Sequence, residues 1–115
     1  MRFVAAVLLA ATTAAAAPPT TCTLTGDPYA EALCSYQRRN FHDAELGFRA
    51  IIDAGDPDPK TIRSIYFLAR TEMKLGRFDE AATLFIRIYS LDKPFYDAWN
   101  CDYLLGECRK AQGKG

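Results

Sequence analysis

The sequence predicts an all-α fold: an α-α superhelix, or solenoid, of two helical hairpins plus one C-terminal capping helix. Three observations predict it. From residue 28 onward, apolar residues recur at spacings of three and four, the period of helices with one buried face. A shift of 37 residues brings like residues into register: Tyr29, Tyr66 and Tyr103; Phe41 and Phe78; Ala44 and Ala81; Phe48 and Phe85; Leu68 and Leu105; Gly76 and Gly113. Cys34 and Cys108 match over two such shifts. Pro59 stands at the start of a periodic stretch, where a missing N–H does no harm, and Gly76 stands between two such stretches, where a tight turn joins them.

Taken in order, residues 1–17 have the make-up of a cleaved signal peptide. Arg2 supplies the positive end, residues 4–10 the apolar stretch and residues 14–17 a run of alanines for cleavage. Export to a periplasm or the cell exterior follows, and the remaining chain of about 99 residues makes one small domain with no membrane span. Residues 18–27 form an extended lead-in, and 28–113 the helical repeat domain. The first hairpin is expected over 28–38 and 41–53, followed by the loop AGDPDP. Over residues 60–75, KTIRSIYFLARTEMKL, the residues Ile62, Ile65, Leu68, Ala69 and Leu75 draw a buried stripe. Asp58 is placed to cap that helix, with Pro59 in its first turn. Gly76 suits the left-handed position just past its end. The partner helix runs over 78–91, with Asp79 and Glu80 at the positive end of its dipole and Ala81, Leu84, Phe85, Ile88 and Leu91 inward. A last helix over 95–111 has no following partner. Its polar side, Glu107, Arg109, Lys110 and Gln112, suits a cap on the end of the array.

Residues 62–94 carry, in order, Leu68-Ala69, Gly76, Phe78, Ala81, Phe85 and Pro94. This pattern resembles the tetratricopeptide repeat. Residues 25–53 match it through Ala32, Phe41, Ala44 and Phe48, with Arg39 in place of the turn glycine, and residues 99–115 through Leu105-Gly106 and Gly113. The period is three residues longer than the usual one, through longer loops, and Ile51 and Ile88 stand where small residues are common. The resemblance implies stacked hairpins whose first helices line a concave groove for an extended peptide or a partner protein. The carboxylate clamp of some family members is not reproduced: its positions hold Gly26 and Ala30, Arg63 and Phe67, Asn100 and Leu104.

On that arrangement Tyr29, Tyr66 and Tyr103 take equivalent places and form a ladder along the groove. Arg63, Tyr66, Arg70 and Lys74 share one face of their helix. Tyrosine and arginine in such a stripe suit partner binding, since guanidinium groups grip carboxylates and stack on rings. The competing reading makes the tyrosines packing residues and the basic stripe a solvated face. A second functional arrangement is a self-associating structural subunit, a homo-oligomer joined through Trp99 with Phe95-Tyr96 or through cysteines.

Composition excludes other classes. With 14 basic and 14 acidic residues, there is no cationic surplus for nucleic acid. His42 is the single histidine, no Cys-x-x-Cys occurs and no zinc spacing is present, so no catalytic, metal or cofactor residue is expected. The four cysteines, Cys22, Cys34, Cys101 and Cys108, are disulfide candidates in an exported chain, with two bridges the default. Cys22 to Cys34 is the favoured bridge. Cys101 and Cys108 lie on one face of a helix but about 10 Å apart along it, too far to pair unless the helix starts later or unwinds.

Overall fold

The computed structural model describes residues 22, 24–55 and 58–113. The signal peptide expected over 1–17 and the first part of the lead-in lie outside the described residues. Among those residues the chain is all-helical, in the order α1 (Pro28–Gln37), α2 (Phe41–Asp53), α3 (Pro59–Lys74), α4 (Phe78–Leu91), α5 (Lys93–Ala98) and α6 (Cys101–Ala111). Each helix packs on the next in sequence, α1 also touches α3, and α4 carries both α5 and α6.

The caps explain where the helices begin. Asp27 accepts from the Tyr29 and Ala30 amides, Asp58 from Thr61 N and Asp92 from Phe95 N, and each is followed by proline within the first two positions. The turns explain where they end. Arg39, Gly76 and Gly113 all have positive φ, at 65°, 79° and 75°. These are the same position of three successive units, so the repeat of residue types is also a repeat of backbone conformation. Arg39 adopts there a conformation that ordinarily favours glycine, and its guanidinium lies 5.3 Å from the centre of the Phe41 ring.

The core repeats as well. Ala44 and Ala81, then Phe48 and Phe85, are fully buried in register, as are Ala32 and Ala69 within a few per cent. Between α1 and α2 the approach is close enough that a Cβ on Gly47 would lie 2.8 Å from Ala32 Cβ. Glycine is therefore a packing residue in α2. Gly106 is different: a Cβ there would meet nothing within 4 Å. It stands at the small-residue position of the third unit, and among the described residues no helix approaches it.

Two expectations are corrected. The last helix is not continuous: Asn100, at φ 55° and ψ 35°, turns left-handed and divides it into α5 and α6. Asparagine tolerates that region better than other non-glycine residues, which is why the chain can turn there. The expected two disulfides are one. Cys22 pairs with Cys34 across a Cα–Cα distance of 5.9 Å, tying the lead-in to α1. Cys101 and Cys108 are buried free thiols of α6, which packs on α4 and α5. The break falls before Cys101, so both stay within one intact helix, two turns apart, where they pack as small apolar side chains.

The two helical glycines predict opposite outcomes. Gly47→Ala gains about 1 kcal/mol of helix propensity but forces α1 and α2 apart, and is expected to destabilise by about 1 kcal/mol net. Gly106→Ala meets no neighbour and is expected to stabilise by about 0.5–1 kcal/mol. Urea unfolding of both variants beside the wild type checks the pair.

Candidate functional site

Helices α1, α3 and α5 share a face on which rings and guanidinium groups alternate. It begins at Tyr29, held at the start of α1 by the Asp27 cap, with Arg63 of α3 at 5.9 Å from its ring centre. Burial raises the Tyr29 phenol above its ordinary range, against the opposing pull of Arg63, so it is a neutral hydrogen-bonding group at neutral pH. Phe67 follows. It meets Tyr29 and Tyr36 of α1 edge-on at 6.5 and 5.4 Å and stacks on Phe48 of α2 at 5.8 Å. Trp99, at the end of α5, meets Phe67 edge-on at 6.2 Å and stacks on Phe95 at 4.6 Å. Its indole remains 37% exposed. Tyr29, Tyr36 and Phe67 are half-buried, so the face is aromatic and partly open along its length.

The tyrosine ladder does not form as three equivalent rungs. Tyr29 is half-buried, Tyr66 is 6% exposed and Tyr103 is 66% exposed. The gradient follows what covers each ring. Tyr66 lies edge-on to Phe85, Phe95 and Trp99, which close over it, whereas among the described residues no ring packs on Tyr103. Tyr66 is thus packed into the core, and its hydroxyl accepts from Arg70 Nη1 at 2.9 Å. Arg70 is held in place by that bond and lies 5.8 Å from the centre of the same ring. Arg63 and Arg70 are half-buried, and Lys74 is exposed at the end of α3. Of the expected groove residues, the structure therefore brings Tyr29, Arg63, Arg70 and Lys74 onto one set of helices, buries Tyr66 beneath them, and leaves Tyr103 outside the ring network. Phe67 and Tyr36 join the face without having been singled out by the repeat; Phe67 sits one residue after the tyrosine that the register selects.

A second cluster lies between α2, α3 and the turn into α4. Glu72 of α3 has a fully buried side chain that accepts from Arg49 Nη2 at 2.9 Å and from Arg77 Nη1 at 3.3 Å. Arg77 Nη1 also donates to Glu45 Oε2 at 2.5 Å, and Arg49 stands 3.5 Å from the same carboxylate. Two carboxyl groups thus share two guanidinium groups. Burial, then the neighbouring Glu45, pushes the Glu72 carboxyl up to about 7 despite both arginines. Glu45 is held below its ordinary range, first by a hydrogen bond from Glu72. Helix periodicity places Glu72 on the stripe of Ile65, Leu68 and Ala69, seven residues beyond Ile65, so the sequence carried the signal.

No group of three histidine, cysteine or acidic residues among the described residues is arranged to hold a metal, and none of the described helices is long and apolar enough to cross a membrane. His42 is exposed at the start of α2. Burial raises the Cys101 thiol to about 11, and burial with Glu107 nearby raises that of Cys108, so both are protonated at neutral pH.

The pair of glutamates sets a pH dependence. Because the folded pKa of Glu72 lies above its unfolded value, its contribution to stability is complete below about pH 4.5 and is lost as pH rises through about 7. Glu45 has the opposite sign: its contribution is present above its ordinary pKa and lost as pH falls below it. Unfolding free energy is expected to fall from pH 5 to pH 8 by on the order of 2 kcal/mol. Glu72→Gln should flatten that fall, as read from urea midpoints at pH 5, 6.5 and 8. Compared with known proteins, this chain matches no family model, no curated protein and no solved structure.

Proposed function

We propose that the chain is a protein-interaction module that holds an extended peptide, or a segment of a partner protein, against the face formed by α1, α3 and α5. The observation that carries this reading is the run of half-buried rings, Tyr29, Phe67 and Trp99, interleaved with Arg63 and Arg70. Rings anchored by packing offer contact area at little entropic loss, and arginine adds directional hydrogen bonds, the combination that concentrates binding energy at interfaces. The resemblance to the tetratricopeptide repeat supports a short solenoid as the frame. The left-handed position recurring at Arg39, Gly76 and Gly113, with alanine and phenylalanine repeating in the core, is what that frame requires. The Cys22–Cys34 bridge agrees with export to an oxidising compartment.

A self-associating subunit is the second reading. It is favoured by one side of α4, where Ile86 and Tyr89, three residues apart, are each about half exposed.

Site-specific photocrosslinking in the producing cell separates the two. With benzoylphenylalanine at position 63 or 74, the module reading expects one covalent partner, absent when the probe stands at position 83 or 86 on α4. A self-adduct from position 86 instead supports the scaffold. Adducts that are the same from all four positions would overturn the groove.

A further inference from the structure

Charge is segregated across this molecule. Helix α3 carries Lys60, Arg63, Arg70 and Lys74 against one acid, Glu72, and that carboxylate is turned away and consumed by Arg49 and Arg77. On the flanking helices acids outnumber bases: Asp43, Glu45 and Asp53 against Arg49 on α2, Asp79 and Glu80 against Arg87 on α4. Among the described residues, none of the ion pairs involves Arg63, Arg70 or Lys74. The partners that Arg63 and Arg70 do have are neutral tyrosines: Tyr29 for one, Tyr66 and Tyr36 for the other. The three lie at spacings of seven and four along one helix, about 16 Å from first to last at 1.5 Å per residue. Five residues of extended peptide cover that distance.

Several acids elsewhere in the fold are occupied. Glu31 accepts from the Thr25 and Gly26 amides, Asp27 and Asp58 cap helices, Asp97 holds Lys93, and Asp102 accepts from Tyr96. Lys60 meets Asp27 at 3.8 Å, whereas Arg63, Arg70 and Lys74 have no carboxylate in ion-pair distance, beside rings that are only partly covered. Half-buried guanidinium groups are stabilised by an anion that arrives with an apolar group to fill the neighbouring surface.

We infer that the segment held on the α1–α3–α5 face is acidic and carries an aromatic or large aliphatic anchor, its carboxylates meeting Arg63, Arg70 and Lys74 and its anchor seated against Phe67 and Trp99. This rests on the proposed interaction role and specifies the chemistry of the partner. Unlike a clamp on a terminal carboxylate, it calls for acidic side chains within the segment, spaced along α3.

The test is selection of random twelve-residue peptides displayed on phage, panned at low salt against the disulfide-bonded chain, against Arg63→Glu/Lys74→Glu and against Trp99→Ala, each checked for unchanged helicity by circular dichroism. Wild type is expected to enrich peptides of net negative charge with an aromatic or leucine. These should bind the charge-reversed variant at least about tenfold more weakly and weaken as salt rises. The charge-reversed variant should itself select neutral or basic peptides. Peptides that depend on Trp99 but show no acidic bias would overturn this inference and leave the interaction role standing. Enriched peptides indifferent to both variants, or no enrichment, would overturn both.

Discussion

Helix α3 is the element against which the other helices are arranged, and the constraint on the fold is that it must be covered on nearly every side. Nine of its sixteen residues are buried, against one in α1 and three each in α2 and α4. The covering comes from α2 through Phe48, from α4 through Phe85, and from α5 through Phe95 and Trp99. A helix so enclosed cannot keep polar groups without partners. Ser64 and Thr71 therefore turn their hydroxyls onto the Lys60 and Phe67 carbonyls, and Glu72 gathers two arginines from neighbouring elements. The candidate face is the part of α3 that this covering does not reach.

The Glu45–Glu72 cluster and the aromatic face are two consequences of that enclosure. One side of α3 is closed by charge drawn inward, in a bridge spanning α2, α3 and the turn into α4. The other presents cations that no acid answers. Breaking the bridge by removing one arginine would leave a buried carboxylate with less compensation, which costs more than an exposed pair is worth. On the open side Arg63, Arg70 and Lys74 enter none of the ion pairs among the described residues, and Arg70 is tied only to tyrosine.

Much of this was legible in the sequence. Caps at Asp58, the left-handed glycine at 76 and the extent of α4 follow from residue types whose local chemistry decides the backbone. The register of Ala44 with Ala81 and Phe48 with Phe85 follows from periodicity alone. What could not be read is what depends on the neighbour that comes next. Tyr29, Tyr66 and Tyr103 look alike in sequence, but their burial is set by whether a further unit covers them. The break at Asn100 was hidden because the apolar spacing of residues 95–111 continues across it, and a single left-handed residue leaves no trace in the period. Glu72 lay in plain view on a buried stripe; its role required knowing that Arg49 and Arg77 converge from separate elements.

The two thiols of α6 give the protein an internal clock for its own opening. Cys101 and Cys108 are covered in the folded chain, while Cys22 and Cys34 are consumed in the bridge. An alkylating reagent can therefore label this chain only in the moments when the packing around α6 opens, whether α6 lifts alone or the fold opens with it. The rate of labelling, measured against that of a free thiol, reads the equilibrium of that opening without any introduced probe. Both thiols labelled together would mark α6 opening as one unit; one ahead of the other would mark it peeling from an end.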